Sequence, residues 1–170
     1  VFEPDLPVRL FRNSKYTESG MRFFGCVVGS TPIETPAGPV PIKDLVGQQP
    51  WIYAFDAKKD QLVLTKPDVI SLTKRSAKVL AITLDDRTVI KATPEHPFLL
   101  RRHYRSANKW KRADELRPDD RLMPFYRTND DAYPQVRRSN KDWRIESHFV
   151  CEETGRKIPF GYHVHHIDHD

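Results

Sequence analysis

Between Cys26 and Tyr126 the chain is a succession of short apolar runs separated by turn formers. Trp51-Ile52-Tyr53-Ala54-Phe55, Gln61-Leu62-Val63-Leu64, Val69-Ile70-Ser71-Leu72, Val79-Leu80-Ala81-Ile82-Thr83-Leu84 and Thr88-Val89-Ile90-Lys91 have the alternation and β-branched content of strands. Pro36-Ala37-Gly38-Pro39, Asp56 to Asp60, and Asp85-Asp86-Arg87 punctuate them as turns. Closely spaced strands with turn signals predict an all-β fold. Ile42-Lys43-Asp44-Leu45 is read as one short helical turn, and no repeat period is visible.

The rest of the chain is organised around this region. Residues 1–25 are broken by Pro4, Pro7, Asn13, Ser14 and Gly20 before the strand-like run Met21-Arg22-Phe23-Phe24-Gly25. Residues 127–141 are polar, nearly free of aliphatics, and read as a linker. Residues 142–170 are too short to fold alone. With 38% hydrophobic and 30% charged residues in 170, the composition suits a globular protein with a modest core. No apolar run approaches a membrane span and no secretory segment opens the chain, so a cytoplasmic location in a bacterial or phage-infected cell is expected. The 2 cysteines make no disulfide framework, and in a reducing compartment Cys26 stays a free thiol.

The net charge of +5 is unevenly spread. Basic residues gather at Arg101-Arg102-His103-Tyr104-Arg105, at Lys109-Trp110-Lys111-Arg112, and from Arg137-Arg138 to Arg144. Arg101, Arg102, Arg105, Lys109, Lys111 and Arg112 are therefore candidate contacts to double-stranded DNA, the alternative being an ordinary solvated surface.

The residues that carry chemistry are Cys26, in Gly25-Cys26-Val27-Val28-Gly29-Ser30-Thr31-Pro32-Ile33, and Thr93-Pro94-Glu95-His96-Pro97-Phe98 downstream. Taken singly, the first is a small core hydrophobe and the second a turn with a surface histidine. Taken together they resemble the N-terminal half of an intein, a self-excising domain of the Hedgehog/intein (Hint) class. Val40-Pro41-Ile42-Lys43-Asp44-Leu45-Val46-Gly47 is similar to the turn after the first intein strands. Trp110 to Leu122 is similar to the family's Trp-x-x-Ala-x-x-Leu-x-x-Gly-Asp-x-Leu element. Asp119 stands where that element has glycine, and Asp85-Asp86-Arg87 lacks the glycine common before its strand.

The resemblance covers residues 26–126 and implies a horseshoe-like β fold. It also implies roles. The Cys26 sulfur attacks the carbonyl of Gly25 through a five-membered ring, giving a thioester and freeing the Cys26 nitrogen. His96 is the general acid and hydrogen-bond donor to that nitrogen. Thr93 bonds the same peptide or fixes the histidine. Splicing needs no cofactor. Its partners are the flanking host protein, or extein, in residues 1–25 and a C-terminal intein segment expected to be missing.

The end of the chain carries a second resemblance. Arg144 to Val150, then Gly155 to Gly161-Tyr162-His163-Val164-His165-His166-Ile167-Asp168, look like the opening of an HNH homing endonuclease, an α+β domain of the ββα-metal type. His165 would then be a ligand for a divalent ion such as magnesium. His166 would be the general base that activates water, with later site residues expected beyond Asp170. A histidine-rich tail that binds metal loosely is the plainer reading. Cys151 has no matching partner for a zinc knuckle. Leu10 to Ser14 and Met21 to Gly25 weakly resemble the stretch before the phosphate loop of phage terminase ATPases, a generic host strand being the alternative.

Two rival functions follow from the same residues. One is an HNH DNA endonuclease whose β-rich part recognises DNA. The other is a Hint domain that cleaves without ligation.

Overall fold

The computed structural model describes residues 7–11 (backbone only), 25–73, 76–101, 109–128, 133–159 and 164. Strands dominate, in small sheets, with one α-helix among the described residues. The chain divides into two compact units that do not follow its linear order. Unit 1 is Val1–Ile52 with Lys66–Pro124, and unit 2 is Tyr53–Thr65 with Phe125–Asp170.

Unit 1 is built on a five-stranded sheet of β1 (Pro7–Phe11), β2 (Val27–Val28), β7 (Val69–Leu72), β8 (Leu80–Thr83) and β9 (Val89–Ala92). Its order is β7-β1-β2-β9-β8. Neighbouring strands in it run antiparallel, with Val27 opposite Ala92 and Val8 between Val27 and Leu72. Residues 7–11, read from sequence as part of a separate host segment, thus occupy the middle of this sheet. Two hairpins complete the unit. They are β3 (Pro32–Thr35) with β4 (Gly38–Pro41), and β10 (Pro97–Leu100) with β11 (Lys109–Arg112).

Ile42–Leu45 forms the expected turn, a 3₁₀ helix. It is clamped by Ile42 N–H to Thr31 O at 2.9 Å and Lys43 N–H to Gly29 O at 3.0 Å. This clamp drives Ile42 and Leu45 into the core, where they meet Val27, Ile70 and Ala92. Burial of such aliphatic side chains is the main favourable term available to the unit. The family glycines absent from the sequence are accommodated in different ways. Arg87 adopts the left-handed conformation, φ 69°, in the turn between β8 and β9, whereas Asp119 is not among the positive-φ residues.

Unit 2 holds the hairpin of β5 (Ile52–Asp56) and β6 (Gln61–Thr65), although Ile52 itself falls in unit 1. It also holds the sheet β12 (Arg127–Thr128), β13 (Gln135–Ser139) and β14 (Asp142–Ile145), followed by α1 (Glu146–Glu153). The stretch 127–141 is therefore not a plain linker, since it contributes β12 and β13. Val136 is the reason. Among few aliphatics it is fully buried, as is Phe149 of α1. Tyr53 stacks on Phe149 with ring centroids 6.1 Å apart and meets Phe125 at 5.1 Å. The carboxylate of Glu146 accepts from both the Tyr53 hydroxyl and the Arg127 guanidinium. Burial and the Glu146 charge push the Tyr53 phenol well above its usual range.

The fold makes a direct stability test available. Ile42→Ala removes a fully buried side chain from the unit 1 core. It should cost about 2–5 kcal/mol in urea denaturation followed by circular dichroism. Val89→Ala, at a half-exposed position of β9, should change stability by less than about 0.5 kcal/mol.

Candidate active site

The register of β2 against β9 sets the site. Because Val27 lies opposite Ala92, the next pair along the antiparallel ladder is Cys26 and Thr93. The two exchange hydrogen bonds. The Cys26 N–H donates to Thr93 Oγ1 at 2.9 Å, and the Thr93 N–H donates to the Cys26 carbonyl at 2.9 Å. Both residues are buried, at 7% and 3% exposure. A threonine is needed here because its hydroxyl can accept from an amide N–H that would otherwise be a buried orphan.

After Thr93 the chain turns, with His96 N–H donating to Thr93 O at 2.9 Å. The turn is held from outside by the 3₁₀ helix Ala113–Glu115 that follows β11. Ala113 N–H donates to the His96 carbonyl at 2.9 Å and Asp114 N–H to the Pro94 carbonyl at 3.0 Å. The Trp110–Leu122 element singled out in the sequence therefore carries the loop that presents His96. Ala113 is buried at this joint, which leaves no room for a larger side chain there.

His96 stands against Gly25. A Cβ placed on Gly25 would lie 2.3 Å from His96 Cα and 2.9 Å from its backbone nitrogen. Position 25 thus has to be glycine for reasons of contact, not of dihedral freedom. The imidazole also packs edge-on to Phe98, with ring centroids 5.0 Å apart. Burial pushes it down to about 4. The Gly25 backbone pushes the other way, as does the negative charge of Glu95. A backbone group that favours the protonated ring is acting as acceptor, which identifies the Gly25 carbonyl as the group the ring addresses. His96 Nδ1 is buried and has no hydrogen-bond partner among the described residues.

Cys26, Thr93 and His96 are accordingly gathered on the one peptide bond between Gly25 and Cys26. The family resemblance puts His96 at the amide nitrogen. In the structure Thr93 holds that N–H, and His96 addresses the carbonyl side. A fourth group joins them. The Cys26 Sγ lies 3.1 Å from the Thr73 Oγ1, either atom being able to donate. Thr73 follows β7 and belongs to no motif, so nothing in the sequence marks it.

The other candidates are dispersed or fall elsewhere. Arg101 and Lys109 are exposed. Lys111 is bound to Asp120 at 2.6 Å, and Arg112 is held by both carboxylate oxygens of Asp114. Arg138 faces Glu152 and Glu153, and Arg144 bonds Asp142. Much of the basic charge read from sequence is therefore met by local carboxylates. Arg102, Arg105, His165 and His166 lie outside the described residues. Among the described residues no group of three or more His, Cys, Asp or Glu side chains is arranged to hold a metal ion. No described helix is long and apolar enough to cross a membrane.

No family model matches the chain. It is similar to a probable translation initiation factor IF-2 of Pyrococcus abyssi, 33% identical over 88 residues, which is 48% of this chain. It is also similar to a DNA gyrase polypeptide of Synechocystis, 36% identical over 93 residues, or 49% of this chain. The chain spans 8% of the length of each of these proteins.

Two tests follow from the site. Gly25→Ala forces the His96 backbone away by about an ångström, given the clash its Cβ would make. Any thiol-dependent cleavage at this bond should then fall about 100-fold, because small misplacements of reacting groups are costly. The second test uses the depressed His96 value. The folded protein holds His96 neutral down to about 4, while the unfolded chain binds a proton near 6.5. Between these values the unfolded state binds more protons, so His96 removes stability as pH falls through that window and has no such effect above it. His96→Gln should flatten the pH dependence of the urea midpoint between 6.5 and 4, with no change in its slope at higher pH.

Proposed function

We propose that this chain contains the N-terminal part of an intein-like, self-processing domain whose first step is an N-to-S acyl shift at Gly25-Cys26. The observation that carries the reading is the convergence of Cys26, Thr93 and His96 on that single peptide bond. The thiol adds to the Gly25 carbonyl carbon, and the C–N bond to the Cys26 nitrogen breaks. The proton lost by sulfur ends on the freed amine. His96 enters as neutral imidazole, since burial keeps it so at neutral pH. It can take up a proton and return it within one turnover, with its unpartnered Nδ1 available for the transfer. Thr93 fixes the peptide by accepting from its N–H, which pulls on the leaving nitrogen. Gly25 allows the histidine backbone to approach this closely.

Similarity to other proteins adds support of a different kind. Two proteins with unrelated names match this chain over a stretch of similar size that forms a small part of each. A self-excising segment carried in unrelated hosts accounts for such a pattern. The first step is common to splicing and to cleavage without ligation, and the proposal extends to that shared step. A homing nuclease in residues 142–170 is the companion proposal, resting on the sequence around His165 and His166.

The test is thiol-induced cleavage of the full chain. With dithiothreitol at neutral pH, mass spectrometry under denaturing conditions should find an N-terminal piece ending at Gly25. Cys26→Ala should abolish it with the circular dichroism spectrum unchanged. His96→Ala should slow it by about two to four orders of magnitude, and Thr93→Val by less. Cleavage that persists in Cys26→Ala overturns the mechanism.

A further inference from the structure

The proposed acyl shift needs the sulfur both held toward the Gly25 carbonyl and able to shed its proton. Cys26 is buried, and burial in apolar surroundings works against a thiolate. The segments packed against it offer little charge to offset this. On β9 and the turn after it, the described titratable side chains are Lys91, Glu95 and His96. Lys91 is on the exposed side of its strand. Glu95 is negative and opposes a second negative charge. His96 is held neutral by its burial. β7 carries no titratable residue, and the side chains of Arg9, Lys74 and Arg75 lie outside those described.

What stands on the sulfur is a hydroxyl. Thr73 Oγ1 is 3.1 Å from Cys26 Sγ, within hydrogen-bond range of the reacting atom. The other threonine of the site, Thr93, is committed to the Cys26 amide. The two hydroxyls therefore divide the residue, one taking its nitrogen and the other its sulfur. We propose that Thr73 is a further catalytic residue of the acyl shift, one that orients the Cys26 sulfur and donates its hydroxyl hydrogen to the thiolate as it forms. A hydrogen bond to the charged form favours that form, so loss of the hydroxyl raises the pH at which the thiol ionises. This inference rests on the proposed function. It adds a group that no motif marks.

The experiment uses the full chain carrying Cys151→Ala, so that Cys26 is the one thiol. Two quantities are measured across pH: the rate of alkylation of Cys26 by iodoacetamide and the rate of dithiothreitol-induced cleavage. Thr73→Val keeps the shape of the side chain and removes the hydroxyl. It should move the alkylation midpoint up by about one unit and slow cleavage at neutral pH by about tenfold, with recovery at alkaline pH. Thr73→Ser should restore both. Thr73 is exposed, so neither change threatens the fold. If Thr73→Val leaves midpoint and rate as in the parent chain, or if Thr73→Ser is as impaired as Thr73→Val, the role for the hydroxyl is overturned. If the parent chain does not cleave at all but its alkylation midpoint still shifts in Thr73→Val, the contact stands and the acyl-shift reading is what fails.

Discussion

Unit 1 depends on a reciprocal pair of backbone-anchored bonds between Cys26 and Thr93. The pair extends the β2–β9 ladder by one residue, but it replaces a carbonyl acceptor by a side-chain hydroxyl. That substitution leaves the Cys26 nitrogen on a weaker, more adjustable partner than a sheet would supply. Ala92, one step back, is fully buried in the core with Val27, Ile42, Leu45 and Ile70. The chemistry-bearing pair thus sits at the edge of the best-packed part of the unit. Its geometry is inherited from hydrophobic burial, the strongest organising force present.

A second constraint acts from the opposite side. The Thr93–His96 turn bonds to the 3₁₀ helix at Ala113 through its own carbonyls, so its position is set by β10, β11 and that helix. The same turn abuts Gly25 closely enough to exclude a Cβ. Two independently fixed pieces of chain are therefore pressed together at one peptide bond. A buried, neutral imidazole next to a backbone carbonyl is costly to build unless it serves a purpose, since its Nδ1 goes without a partner among the described residues.

Much of this is legible in the residues. The strands near 52–56, 61–65, 69–72, 80–83 and 89–92 announce themselves by alternation and β-branching. Thr93 and His96 are legible because a turn directly after a strand keeps fixed spacing to the strand. The contact between that turn and Ala113 is not derivable from sequence, since it joins segments whose proximity is purely tertiary. Thr73 is invisible for the same reason, being a lone hydroxyl after a strand with no neighbour in sequence to suggest sulfur. The 127–141 stretch misleads because its polarity is carried by arginines whose charges are met elsewhere. Arg138 faces acids of α1, while Val136 alone supplies the buried anchor. Polarity marks a linker only when nothing nearby neutralises it. The place of residues 7–11 inside the sheet is also unreadable, because two partners on either side, not the segment itself, determine it.

That placement bears on what happens once a bond is cut. β1 is laddered to β2 on one flank and to β7 on the other. Severing the chain after Gly25 breaks its covalent tether but neither ladder. The departing peptide is then a guest strand in its former host. Its escape is a dissociation event with its own rate, separate from the chemistry that freed it. When it does leave, two strand edges open where one interior strand had been, each with unpaired amide and carbonyl groups ready to recruit another chain. A protein of this design keeps its product as a chaperone for its own sheet, and losing that product is the moment at which it becomes adhesive.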